Sequence, residues 1–152
     1  MRGAFLSSNR FAVVGALLIY TLIAIAATHP LWLHAASAVP SDIGDPLLNT
    51  WILAWDVHAL TVSPFGLFQA NIFYPLPNTL AFAEHLLGAA RTMAPILLAT
   101  GEPVVAYNGA FVLSFALGGW GAYLLARRLT RCGWAAAFLA GLVFAYAPYR
   151  LT

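Results

Sequence analysis

Carboxylates are the residues of this chain best suited to chemistry, and most of them lie in one short stretch. The chain has five acids, and three of them fall within residues 41–56, SDIGDPLLNTWILAWD. A carboxylate can act as a general base towards a hydroxyl group, and Asp45 is the candidate for that role. Its alternative role is helix N-capping, for which aspartate is a preferred residue. The two roles are compatible, because a carboxylate has two oxygens.

The two neighbouring acids are weaker candidates. Asp42 could contact a substrate, but solvation of a loop is the simpler explanation for an acid at this position. Asp42 and Asp45 together could bind a divalent cation, although two carboxylates are too few ligands to define a site. Asp56 is predicted to be a solvated residue on the polar face of a helix. The four histidines of the chain show no metal-ligand spacing.

A second set of polar residues could line a substrate cavity. Glu84 and His85 precede an apolar stretch, where an acid would also favour the dipole of a helix N-terminus. Arg91 lies inside that stretch, and a charge at membrane depth is costly unless it is paired or reaches the interface. Tyr149 and Arg150 follow the last apolar stretch. They could anchor it at the interface or contact a phosphate, which arginine binds well.

The composition indicates that the bilayer is the solvent of this protein. Of its 152 residues, 62% are hydrophobic and 8% are charged, whereas about 25% are charged in soluble domains. The basic sequence pI near 9.0 does not indicate nucleic-acid binding. The chain has no lysine, and its arginines are dispersed or lie beside apolar stretches, as topology signals do. The single cysteine, Cys132, excludes an internal disulfide framework.

Four apolar stretches are candidates for membrane spans. A span needs about 20 residues, and shorter apolar stretches are often interfacial or re-entrant. The second stretch is short and contains a glycine, an arginine and a proline, so it could be re-entrant. The four stretches are Phe11–Ala27 with an extension to about Leu33, Leu86–Thr100, Val104–Ala126 and Trp134–Ala147.

The arginines favour a topology in which the second stretch does not span. Positive residues favour the cytoplasmic side. If the second stretch does not span, Arg2, Arg10 and the arginines of residues 127–131 all lie on that side. All acids and histidines then lie outside. We therefore predict three spans, with a cytoplasmic N-terminus and an external segment at about residues 34–103. Cleavage of the first stretch as a signal peptide is the alternative, but this stretch is longer than a usual signal core. The predicted spans cover about residues 11–33, 104–126 and 134–148.

Surface helices are predicted within the external segment. Residues 45–60 form a candidate interfacial helix, with Asp45 as N-cap and Pro46 at its first position. A second helix, interfacial or dipping into the membrane, is predicted from Thr79. The fold class is thus an all-α membrane protein with about three transmembrane helices and amphipathic interfacial helices. The first surface helix has one predicted apolar face, made of Leu47, Leu48, Trp51, Ile52, Trp55 and Ala59.

The order of four motifs resembles a known enzyme family. The external segment opens with GDPLLNTW and continues with FYPLPNTLAFAEHLLGAA, one span ends in YLLARRLT, and the next ends in FAYAPYR. This order resembles the N-terminal part of bacterial integral-membrane glycosyltransferases of the GT-C superfamily. The similarity is to the aminoarabinose and protein mannosyltransferase type and its relatives, and it covers nearly the whole chain as part of a longer enzyme.

The resemblance implies a function, a site and a location. Such enzymes transfer a sugar from a polyprenyl-phosphate donor to an acceptor on the outer face of the cytoplasmic membrane. An acid in the first external loop serves as base or shapes the acceptor site, and the match places that role on Asp45. Asp42 is a weaker candidate for that acid, and the resemblance makes Glu84, Tyr149 and Arg150 expected cavity-lining residues. His85 and Arg91 are the other expected substrate-binding residues. No cofactor is certain, and a divalent cation is one option.

The family needs more spans than this chain has to close a donor cavity. We therefore expect a truncated fragment whose partners are the bilayer, the lipid-linked donor and the remaining membrane helices of the enzyme. Two alternatives stay open at this point. The chain could be a small membrane protein with a structural or assembly role, or a fragment of a transporter or flippase in which Arg91 and the acids line a path.

Overall fold

The chain folds into helices joined by turns. The computed structural model describes residues 2–130 and 132–147, with side chains described from residue 11 onward within these ranges. This part of the chain is all-helical and contains no strand, which confirms the predicted all-α class. Three short 3-10 helices lie in the connections. The five α-helices are α1 (Arg2–Ala27), α2 (Asp45–Val62), α3 (Leu87–Thr100), α4 (Pro103–Thr130) and α5 (Trp134–Ala145).

One described helix, α4, is long and apolar enough to cross a membrane. Its 28 residues extend about 42 Å at the α-helical rise of 1.5 Å per residue, more than the hydrocarbon core of about 30 Å requires. Within the protein, 22% of its most apolar window is buried. Three shorter apolar helical stretches accompany it: Phe11–Ala27, Leu87–Thr100 and Trp134–Ala145.

The first compact unit comprises residues 1–29 and 111–152, and its described part is built on Tyr20. The Tyr20 side chain is fully buried, and its hydroxyl donates a hydrogen bond of 2.7 Å to the carbonyl of Phe138. The Tyr20 ring lies against two glycines. A Cβ atom on Gly119 would lie 2.7 Å from Cδ1 of the ring, and one on Gly141 would collide with the hydroxyl. Gly119 in α4 and Gly141 in α5 therefore permit the close packing of Tyr20.

The second compact unit comprises residues 30–110, where α2 packs against α3. Two side-chain donors hold its irregular connections. Trp55 Nε1 donates to the carbonyl of Leu67 at 2.8 Å. Asn108 is buried, and its Nδ2 donates to the carbonyls of Ala35 and Ala38 at 2.9 and 2.7 Å. The apolar centre of this unit is formed by Ile52, Ala70 and Leu80.

The predicted start of α2 is confirmed, but the predicted cap is wrong. The helix begins at Asp45, and Gly44 is its N-cap residue, with no capping side-chain hydrogen bond. The predicted helix from Thr79 is also wrong. Only a 3-10 turn forms at Thr79–Phe82, because Ala83 is extended and ends it. Helix α3 then starts at Leu87, so the acid and histidine before it belong to the connection and not to the first turn.

The first helix is shorter than the stretch that includes Leu33. Helix α1 ends at Ala27, and a separate 3-10 turn covers Leu31–His34. Pro30 lies between the two elements, and proline has no backbone N–H to continue a helical ladder.

The side of α2 that is buried within the protein coincides only in part with the predicted apolar face, at Ile52 and Ala59. Leu47 and Leu48 are about half exposed, at 46% and 48%, whereas Asp56 is buried. The helix carries apolar residues on more than one side, so their spacing alone did not identify the side that packs within the protein. The prediction of a solvated Asp56 is therefore wrong. The buried residues of α2 are Pro46, Thr50, Ile52, Leu53, Asp56, Val57 and Ala59.

Candidate functional site

The candidate site is a buried acid–base pair in the second unit. Asp56 lies in the middle of α2, and its side chain has no exposed surface. His85 lies in the connection before α3, and its side chain contacts Asp56 of α2. The distance from His85 Nδ1 to Asp56 Oδ2 is 3.2 Å. A buried carboxylate is costly unless it is paired and hydrogen-bonded, and His85 supplies that partner.

One edge of the His85 ring remains accessible. Its side chain is 25% exposed, in contrast to the fully enclosed Asp56. The Phe68 ring packs edge-on against the imidazole, with a centroid separation of 5.1 Å. No other described group is hydrogen-bonded to the imidazole, so Nε2 is available to a ligand. In this site, Asp56 holds Nδ1 of His85, Nε2 is accessible, and Phe68 packs beside the ring.

The electrostatics of the pair follow from burial. Desolvation raises the pKa of Asp56 above its ordinary value, and the charge and hydrogen bond of His85 lower it by a smaller amount. The backbone N–H of Leu86, the residue that precedes α3, also lowers this pKa. The carboxylate thus lies at the N-terminus of α3, where the helix dipole favours an anion. Asp56 Oδ1 is buried and accepts no hydrogen bond from the described residues.

This arrangement can orient an imidazole for proton transfer. An ionised carboxylate only accepts hydrogen bonds, so ionised Asp56 keeps the proton of a neutral His85 on Nδ1. The lone pair of Nε2 then points away from the buried acid. An imidazole held in this way by a carboxylate is the orienting arrangement of a general base and its positioning acid. The pair also joins α2 to α3, which is its structural role.

A second polar region lies at the start of α2. Asp45 is exposed, as is Asp42, whose Oδ1 accepts a hydrogen bond of 3.2 Å from the backbone N–H of Gly44. Asp45 and Asp56 are separated by about 16 Å along the axis of α2, so their carboxylates cannot act on the same hydroxyl group.

The remaining predicted site residues are not gathered around this pair. Glu84 is exposed beside His85. Arg91 is exposed on α3, and none of the described carboxylates forms an ion pair with it. Tyr149 and Arg150 lie outside the described residues. Within residues 2–130 and 132–147, no group of three or more histidine, cysteine, aspartate or glutamate side chains could hold a metal ion.

Comparisons of the chain with protein-family models, with curated proteins and with solved structures give no match.

Proposed function

We propose that this chain is the N-terminal membrane portion of a GT-C-type glycosyltransferase. In this proposal the enzyme transfers a sugar from a polyprenyl-phosphate donor to an acceptor on the outer face of a bacterial cytoplasmic membrane. The order of the motifs GDPLLNTW, FYPLPNTLAFAEHLLGAA, YLLARRLT and FAYAPYR supports it. The further helices of the enzyme, the bilayer and the lipid-linked donor are the proposed partners.

The observation that carries the proposal is the position of the Asp56–His85 pair. Both residues belong to the segment between α1 and α4, which also holds Asp42 and Asp45. Glycosyl transfer to a hydroxyl requires a group that accepts the hydroxyl proton. A buried carboxylate that orients a partly exposed imidazole provides such a group.

The proposed topology has three spans. Helix α4 supplies one, and residues from α1 and α5 supply the others, with the 34–103 segment outside. The basic residues of the last turn of α4, Arg127 and Arg128, then lie on the cytoplasmic side with those at the N-terminus. Under this topology Asp45 and the Asp56–His85 pair face the side on which a lipid-linked sugar would be used.

Asp45 keeps the role that the resemblance gives it, as an acid that serves as base or shapes the acceptor site. Its exposed position at the first turn of α2 supports access by a substrate from water. The test is sugar transfer by membranes in which the gene's full reading frame is expressed with Asp45→Asn. We expect a loss of transfer at an unchanged protein level.

Glu102→Gln is the matched control, because Glu102 is also an exposed acid and lies outside the proposed site. This variant should retain wild-type transfer. Wild-type transfer in the Asp45→Asn variant would remove Asp45 from the site, and transport of a lipid or sugar without any transfer would replace the glycosyltransferase proposal.

A further inference from the structure

We propose that His85 is the catalytic base towards the acceptor hydroxyl and that Asp56 is its positioning residue. This inference rests on the proposed glycosyl transfer for the identity of the substrate, a carbohydrate acceptor. It leaves Asp45 the role of shaping the acceptor site.

The side chains of His85 and Asp56 differ in their exposure to solvent. Asp56 has no exposed surface, so it cannot touch a substrate, whereas the imidazole of His85 is 25% exposed. The Nδ1 atom is occupied by Asp56, at 3.2 Å, and Nε2 has no hydrogen-bond partner among the described residues. A base must come within hydrogen-bond reach of the proton that it takes, and only Nε2 fulfils this condition.

An aromatic ring lies beside the imidazole of His85. Phe68 packs edge-on against His85 and is itself 41% exposed, so part of its ring remains accessible. Small-molecule sites combine aromatic walls with a few placed polar groups. A sugar presents apolar C–H faces and hydroxyl groups together, so it matches an aromatic ring with a proton acceptor at its edge.

Burial of the Asp56 carboxylate carries a free-energy cost. Asp56 leaves Oδ1 without a hydrogen bond among the described residues. An apolar residue in α2 would pack without this cost, so joining α2 to α3 does not by itself require a carboxylate. A carboxylate is required if the imidazole must become positively charged, because the negative charge of Asp56 stabilises the imidazolium.

The proposed step conserves protons and charge. The acceptor O–H bond breaks, its proton goes to Nε2 of His85, and the acceptor oxygen forms a bond to the anomeric carbon. The bond from that carbon to the phosphate oxygen breaks, and its electron pair leaves with the polyprenyl phosphate. The imidazolium then releases its proton to water. Asp56 remains ionised throughout and holds Nδ1–H.

Three variants test the proposal in membranes that express the full reading frame. His85→Gln removes the base, and Asp56→Asn keeps an oxygen that accepts from Nδ1–H while removing the negative charge. His58→Gln is the control, since His58 is an exposed histidine of α2 without a described side-chain hydrogen bond. We expect His85→Gln to lower kcat about 10²- to 10⁴-fold with little change in KM, the range for general base catalysis. Asp56→Asn should lower kcat and change its pH profile, and His58→Gln should match the wild type.

A second measurement does not depend on enzyme activity. Diethyl pyrocarbonate modifies accessible neutral imidazoles, and mass spectrometry resolves His85 from His58. In the wild-type protein in membranes, His85 should react, and Asp56→Asn should slow its reaction several-fold without changing that of His58. Slower modification of His85 supports the Asp56–His85 pair even if no sugar transfer is detected. Absence of sugar transfer would count against the proposed function alone.

Two results would overturn the inference. One is active transfer with a kcat for His85→Gln within twofold of the wild type. The other is a rate of His85 modification that Asp56→Asn leaves unchanged.

Discussion

The Nδ1 atom of His85 lies 3.2 Å from Oδ2 of Asp56, and this contact ties the middle of α2 to the connection that leads into α3. Of the two residues, the acid is completely enclosed and the histidine is partly open to solvent. The pair therefore combines a structural link with an accessible proton acceptor. This combination is the basis of the proposed chemistry, and it predicts a pH-dependent stability.

Stability should fall as Asp56 ionises. Burial raises the pKa of Asp56 in the folded chain, so its stabilising contribution is complete below the ordinary aspartate pKa and is lost as the pH rises through the raised value. Asp56→Asn removes the titrating group and should flatten this dependence. The measurement is the unfolding midpoint in detergent micelles at a series of pH values, for the wild type and the variant. Parallel profiles for the two proteins would contradict the assigned environment of Asp56.

The packing around Tyr20 predicts a contrast between two glycines of α4. Gly119→Ala places a Cβ atom 2.7 Å from Cδ1 of the buried Tyr20 ring, and we expect a loss of about 1–3 kcal/mol in the free energy of unfolding. Gly121 has no neighbouring atom within 4 Å of an added Cβ, so Gly121→Ala should be neutral or stabilising by about 0.5–1 kcal/mol. Denaturant titration of both variants measures the difference. Equal stabilities would show that the Tyr20 packing is looser than described.

Cysteine labelling tests the proposed topology. Cys132 follows α4 and is replaced by serine to give a cysteine-free background, into which Glu102→Cys is introduced at an exposed position before α4. We expect an impermeant maleimide added to intact cells to label position 102, because the arginines at the end of α4 favour the cytoplasmic side. The native Cys132 should react only after permeabilisation. Labelling of position 102 only from the cytoplasm would reverse the orientation.

Local signals predicted the helices better than their packing. The apolar stretches and the Asp-Pro pair located α2 and α4, because helix starts and spans are encoded by nearby residues. The predicted helix at Thr79 was wrong, because FYPLPNTLAFAEHLL contains enough apolar residues for a helix but forms only a short turn before α3. The extended backbone of Ala83 at that point is set by the surrounding fold and has no local sequence signature.

The candidate site was predicted only in part. His85 was expected to line a cavity because of its position beside an apolar stretch, but its partner Asp56 was assigned to solvent. The two residues are 29 positions apart, and nothing in their spacing indicates that they meet. The apolar residues on more than one side of α2 also concealed which of its faces is buried. The roles predicted for Asp42, Asp45, Glu84 and Arg91 stay predictions.

The most direct test of the central claim is sugar transfer by the wild-type protein. Membranes expressing the full reading frame are supplied with polyprenyl-phosphate-linked hexoses that carry tritium in the sugar, and incorporation of label into acceptor material is followed over time. Membranes without the protein provide the background. We expect time-dependent transfer of labelled hexose above that background for at least one donor. Label that remains on the lipid with every donor, at a confirmed protein level, would contradict the glycosyltransferase proposal.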